Sequence, residues 1–163
     1  MSQPAINLEI EYHFDGTRTE IREDQPRFRQ AAAWVCKKFE ISSLSVSVAI
    51  VSDSEIHRLN REHLQHDWPT DVISFVFEHS ESHVEGEVIA SYDTAQRLAK
   101  KANWSPEDEL LLYVLHGLLH VAGLDDVEES DRKQMRLCEK DCLLHFKIPG
   151  AQFHLERWQD VSY

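Results

Sequence analysis

The chain has 163 residues, 42% of them hydrophobic, and a formal net charge of −12. That length suits one compact domain over 1–163, and five glycines and five prolines leave little material for long linkers. The acidic balance argues against a general nucleic-acid binder, which normally carries a basic footprint. No stretch approaches the ~20 apolar residues of a membrane span, and the opening MSQPAINLEIEY has neither the basic flank nor the apolar run of a secretory signal. Three cysteines form no disulfide framework and read as reduced thiols in a cytoplasm. The basic groups Arg18, Arg22, Arg27 and Arg29, then Lys37 and Lys38, then Arg97, Lys100 and Lys101, read as solvated faces.

Residues 6–12 alternate apolar and polar, the period of a half-buried strand. Residues 26–39 put Phe28, Ala31, Ala32, Val35 and Phe39 on one helical stripe behind Pro26. Residues 44–51, LSVSVAIV, predict a second strand. Ser52 and Glu55 have the spacing of a capping box, so a helix starts there and carries Ile56 and Leu59 inward. Trp68-Pro69-Thr70-Asp71 is a turn signal before a third strand at 72–77. The polar segment 78–85 reads as a loop, and 87–91 as a fourth strand after Gly86.

The second half reads as helical. Asp93 and Gln96 have capping spacing for a helix that ends near residue 103, with Ala95, Leu98, Ala99 and Ala102 inward. Ser105-Pro106-Glu107-Asp108 is a helix start: an N-cap, a proline at the first position, then acids in the first turn. From Leu110 to Ala122 the helix is apolar nearly all round, which predicts a core position, and Gly123 ends it. A last helix covers roughly 128–146, with Met135, Cys138, Cys142 and His145 on one stripe, before Pro149 and Gly150. Those thiols read as core packing rather than a second metal site. The order, β-α-β-α-β-β and then three helices, indicates an α+β fold.

The chemistry lies at the end of the apolar helix. His116 and His120 are four apart, so both imidazoles lie on one helical face and can grip one ion from adjacent turns. Gly123 allows a sharp turn, and Asp126 is placed to return as a third ligand. Three protein ligands leave a position open for water, as in catalytic rather than structural zinc sites. Metallopeptidases share this histidine spacing but carry a glutamate after the first histidine; here that position is Gly117.

The run His116-Gly117-Leu118-Leu119-His120-Val121-Ala122-Gly123-Leu124-Asp125-Asp126 resembles the H-G-x-L-H-L-x-G-Y-D-H signature of the YbeY family of endoribonucleases. Upstream, Leu59-Asn60, Asp67 and Pro69-Thr70-Asp71-Val72-Ile73-Ser74-Phe75 are similar to that family's L-N-x-x-Y-R-x-x-D-x-P-T-D-V-L-S-F. Gly86-Glu87-Val88-Ile89 is similar to its G-D-I-x-I. The matches keep the family's order and span residues 59–126. The resemblance implies an α+β fold with a four-stranded, mostly parallel mixed sheet and about five helices around a metal-binding cleft, and a metal-dependent endoribonuclease specific for single strands, acting in 3′-end maturation of 16S rRNA and in ribosome quality control. It implies one zinc per chain, and as partners single-stranded rRNA and the small ribosomal subunit with its proteins, with no membrane and no DNA.

The chain departs from the family at two positions. The third ligand is Asp126 where relatives mostly have histidine, a set of two histidines and a carboxylate that also suits iron or another divalent ion. The family's arginine, which contacts RNA phosphate, falls on Leu64, which can neither hold phosphate nor stabilise charge. Arg61, one helical turn earlier, is either its substitute or an exposed helix residue; His63 and His66 are further candidates. Asp125 either accepts a hydrogen bond from a ligand imidazole, acts as a base, or is a turn residue. Asp71, with Thr70 and Ser74, is placed to line the cleft. The expected catalytic residues are therefore Asp125, Arg61 and Asp71, and the expected ligands His116, His120 and Asp126. The alternatives are a metallopeptidase-like hydrolase and a non-catalytic ribosome-assembly factor with a structural metal.

Overall fold

The structure, a computed structural model, describes residues 2–13, 25–64 and 70–156. Arg18, Arg22, His66, Asp67 and the Trp68-Pro69 half of the turn signal lie outside them. The elements are β1 (Ala5–His13), α1 (Gln25–Lys38), β2 (Ser43–Val51), α2 (Asp53–Leu64), β3 (Val72–His79), β4 (Val84–Ser91), α3 (Tyr92–Ala102), α4 (Pro106–Val121) and α5 (Glu129–His145). A short 3-10 turn at Ala151–Phe153 follows. The strands form one sheet in the order β1-β2-β4-β3. β2 is parallel to β1 and to β4, and only β3 runs antiparallel, as the mixed-sheet expectation required.

The alternation in β2 sends Leu44, Val46, Val48 and Ile50 to one buried face. α4 lies against that face of β4 and β3, with α1, α3 and α5 packed around it. Its Leu110, Leu111, Val114, Leu115, Leu118 and Leu119 are all buried, which explains why the helix is apolar on every side. Each such leucine stabilises the fold by roughly 1.5–3 kcal/mol. The opposite sheet face carries a smaller cluster, where Ile56 and Leu59 of α2 cover Val51, Ile73 and Ile89.

Three local expectations are corrected. The segment 78–85 is not all loop: β3 runs on to His79 and β4 begins at Val84, joined by a turn in which Ser80 N donates to His83 O at 2.9 Å. β3 ends the sheet, so Glu78 and His79 stay exposed while their backbones pair, and an apolar pattern gives no sign of the extension. α3 is capped by Ser91, whose Oγ accepts from Thr94 N at 3.2 Å, not by Asp93. The strand therefore passes into the helix without a loop, and Asp93 instead accepts from Asp53 N at the start of α2. Met135, Cys138 and Cys142 share the buried face of α5, but His145 is exposed, because the helix ends there and the half-buried Phe146 closes it. The Ser52 and Ser105 starts form as expected, with Oγ accepting from Glu55 N (3.3 Å) and Asp108 N (3.0 Å).

Candidate metal centre and cleft

α4 delivers His116 and His120 from its last two turns to the edge of the core. Gly123 ends the helix at φ +110°, a left-handed value that a side chain disfavours. Gly123 N and Leu124 N turn back to His120 O (2.9 Å) and Leu119 O (3.0 Å), and the chain folds over the helix end so that Asp126 reaches the histidine pair. Gly117 serves a different purpose. A Cβ there would lie 2.5 Å from Val88 Cγ1, so this position faces the sheet and lets α4 sit directly on β4. A glutamate at 117 would enter the core, not the cleft, so the peptidase base is missing from the sequence and has no room in the fold.

The three expected ligands converge. His116 Nε2 and His120 Nε2 are 3.0 Å apart, and Asp126 Oδ2 is 3.4 Å from each. On a tetrahedron with bonds of about 2.0–2.1 Å, neighbouring ligand atoms lie about 3.3–3.4 Å apart. The far ring nitrogens are already committed. His120 Nδ1 donates to Leu124 O at 2.9 Å, and His116 Nδ1 donates to Glu139 Oε1 at 2.8 Å. A carbonyl or carboxylate can only accept, so both rings are held with Nε2 turned toward each other and toward the Asp126 carboxylate. Without a metal a proton on His116 holds these atoms together, and a cation would take that proton's place; the donor set and spacing fit a divalent transition metal.

The electrostatics agree. Burial works against a charged His116, but its hydrogen bonds to Asp126 and Glu139, with the nearby Asp71 charge, outweigh it and push its pKa up to about 9. Hydrogen bonds from His116 and His120 hold the Asp126 carboxyl far below the usual carboxylate range. Burial would raise Glu139, yet hydrogen bonds from His116 and His154 and the Arg136 charge keep it ionised.

These groups line a cleft of about 230 Å³ with Thr70, Asp71 and Ser74 from the start of β3, Leu112 and Tyr113 from α4, and Arg136 and Glu139 from α5. Of the three expected catalytic residues, Asp71 lies in the cleft. Its Oδ1 accepts from Val72 N (2.8 Å) and Thr70 Oγ1 (3.2 Å), which fixes the carboxylate at the strand start. The structure does not bring Asp125 there: it is exposed, and its Oδ1 accepts from Asp126 N at 2.8 Å, an arrangement that shapes the turn. Arg61 is exposed on α2 and is not among the cleft residues; neither is Leu64, 41% exposed at the end of that helix. His63 makes a T-shaped ring contact with Phe75, centroids 6.1 Å apart.

Three participants escaped the sequence reading: Arg136, Glu139 and His154. Glu139 left a signal, since it stands between Cys138 and Cys142 on the buried face of α5, where a carboxylate demands a partner. Arg136, one turn before it, is the only lysine or arginine lining the cleft among the described residues. His154 left none, because its partner is 15 residues away in a different element.

Residues 11–147 match the family model described as Endoribonuclease YbeY. An Endoribonuclease YbeY of Rhodopirellula baltica is 46% identical over 120 residues, covering 72% of this chain and 60% of that protein. One of Chlorobium luteolum is 40% identical over 93 residues, covering 57% and 67%. The chain thus spans about three-fifths to two-thirds of these relatives' own length. Among solved structures, the solution structure of TM1509 from Thermotoga maritima aligns with a TM-score of 0.57 and 24% identity, covering 86% of this chain and 91% of that one, a likeness of fold.

Proposed function

The chain belongs to the Endoribonuclease YbeY family, and on that premise we propose that it is a metal-dependent endoribonuclease that cuts single-stranded RNA at the His116–His120–Asp126 cleft. The observation that carries the reading is the convergence of two imidazole nitrogens and a carboxylate oxygen, with both imidazoles locked by acceptors behind them. His116, His120 and Asp126 would hold the ion. Zinc is the metal proposed, one per chain, because nitrogen and carboxylate donors at tetrahedral spacing suit it; iron or another divalent ion is the alternative. When bound, the ion supplies Lewis acidity to the cleft.

The chain's own groups supply the rest. Arg136 is the guanidinium placed to meet a phosphate oxygen, a role that Leu64 cannot fill, and Glu139 fixes its orientation through Nη1 contacts of 2.8 Å to both carboxylate oxygens. Asp71 is the carboxylate proposed to accept the proton of the attacking oxygen. The cleft is narrow and partly walled by Leu112 and Tyr113, which favours a flexible single strand over a rigid duplex.

The biological substrate proposed is the precursor 3′ end of 16S rRNA, with ribosome quality control as the wider role and the small ribosomal subunit and its proteins as partners. A net charge of −12 gives little non-specific attraction to RNA, which favours delivery by such partners. Among the described residues no helix is long and apolar enough to cross a membrane, and the three cysteines are free and buried. We assign the protein to the cytoplasm.

The test is cleavage of matched single-stranded and duplex RNA by the zinc-loaded protein, with and without chelator. The expected result is cutting of the single strand only, lost with chelator and in His120→Ala. Cutting that survives in His120→Ala would assign it to a contaminant. Zinc binding without cutting would favour the assembly factor. Peptide hydrolysis would revive the metallopeptidase, against which Gly117 stands.

A further inference from the structure

The His116 ring is held by a buried chain of groups that leaves the cleft and ends in the C-terminal segment, beyond the 11–147 span that the family model matches. Its centre is Glu139, a carboxylate with no exposed side-chain surface. Glu139 Oε1 accepts from His116 Nδ1 at 2.8 Å, and Oε2 accepts from His154 Nε2 at 3.0 Å. His154 is itself 1% exposed, and its ring stacks on Trp104 at 6.3 Å.

The path that brings His154 back is built into the fold. Ile148 and Ala151 are buried in the main core. Between them the chain turns at Gly150, φ +81°, and the 3-10 turn delivers His154, whose backbone N donates to Ala151 O at 3.1 Å.

We propose that His154 is a positioning residue of the metal centre: its Nε2–H fixes the Glu139 carboxylate, which fixes the His116 ring with Nε2 toward the ion. The inference rests on the metal reading above. A buried carboxylate held at one oxygen can rotate about its terminal torsion, and with it the ring that it orients. Arg136 Nη1, at 2.8 Å from both oxygens, holds the carboxylate as a whole from one side, and His154 adds a second fixed direction at one oxygen. His154 bonds only the oxygen that His116 does not use. Partners behind a ligand imidazole set its tautomer and direction, and their loss weakens metal affinity by about ten- to a hundredfold. The C-terminal segment is then part of the metal centre as well as a packing element.

The test uses the full chain with His154→Gln and His154→Asn. The glutamine amide nitrogen reaches near the place of Nε2 and can donate to Glu139; the asparagine amide lies nearer the place of Nδ1 and cannot. Zinc affinity is read by competition with a chromophoric chelator, on metal-free protein whose melting midpoint is measured beside it. Wild type and His154→Gln are expected to bind similarly, with His154→Asn weaker by about ten- to a hundredfold. Variants that melt lower but bind zinc like wild type would make His154 a packing residue only and overturn the proposal. Equal weakening in both would overturn it too, since the donor position would not matter. A wild type that holds no zinc would overturn the metal reading, and this inference with it.

Discussion

Gly117→Ala tests the packing that places the two histidines. The added Cβ would lie 2.5 Å from Val88 Cγ1, 2.8 Å from Cγ2 and 3.2 Å from Cβ. Val88 cannot swing aside: it is β-branched, fully buried, and sits on the strand paired on both sides by β2 and β3. The helix must lift, and overpacking of this kind costs about 1–3 kcal/mol. Replacing a mid-helix glycine by alanine returns about 1 kcal/mol of helix propensity. The net expectation is a loss of up to about 2 kcal/mol, or a fall of up to about 8 °C in melting temperature for a chain of this size. Because His116 and His120 flank the contact, zinc affinity should fall as well. Urea unfolding of the metal-free protein and a chelator competition read the two effects. A Gly117→Ala protein more stable than wild type by the full propensity gain of about 1 kcal/mol would refute the close approach of α4 to β4 as the reason for glycine there.

In the metal-free protein the His116 pKa is raised from 6.5 to about 9. A raised folded-state pKa stabilises below the unfolded value, so this contribution is fully present below pH 6.5 and lost as pH rises through about 9. The urea midpoint of metal-free protein should therefore drop between pH 6.5 and 9, while His116→Ala should lack that component. Zinc must displace that proton, so calorimetry at pH 7.5 in buffers of different ionisation enthalpy should register proton release, and affinity should weaken on acidification. Away from the cleft, Asp53 Oδ1 accepts from Ser91 Oγ and Thr94 Oγ1, both at 2.7 Å, and Asp53 also pairs with Arg97. Asp53→Ala strands those buried hydroxyls and should cost about 1–3 kcal/mol in thermal unfolding, with zinc stoichiometry unchanged.

What could be read in the sequence follows from how local each signal is. The strand of alternating LSVSVAIV, the Ser105-Pro106 start and the apolar run of α4 each lie within one element, and each forms as expected. The histidine pair belongs to the same class, since its spacing and the Gly123 break are written in consecutive residues. Ser91 hid its capping role by being the last residue of a strand, and β3 and β4 ran into polar residues because one side of β3 has no neighbouring strand. Asp125 was a matter of direction, since adjacent residues of a turn point apart and only Asp126 faces the pair. Glu139 and His154 depend on α5 and the C-terminal segment folding back onto α4, which no local pattern encodes.

The central claim is that one ion is held by His116, His120 and Asp126. The direct measurement is metal content by mass spectrometry on protein purified gently without added metal, beside His116→Ala, His120→Ala and Asp126→Ala, each checked for folding. The account predicts about one divalent ion per wild-type chain and loss of most of it in every variant. A folded wild type with less than about a tenth of an equivalent, or an Asp126→Ala protein that keeps its full complement, would contradict it.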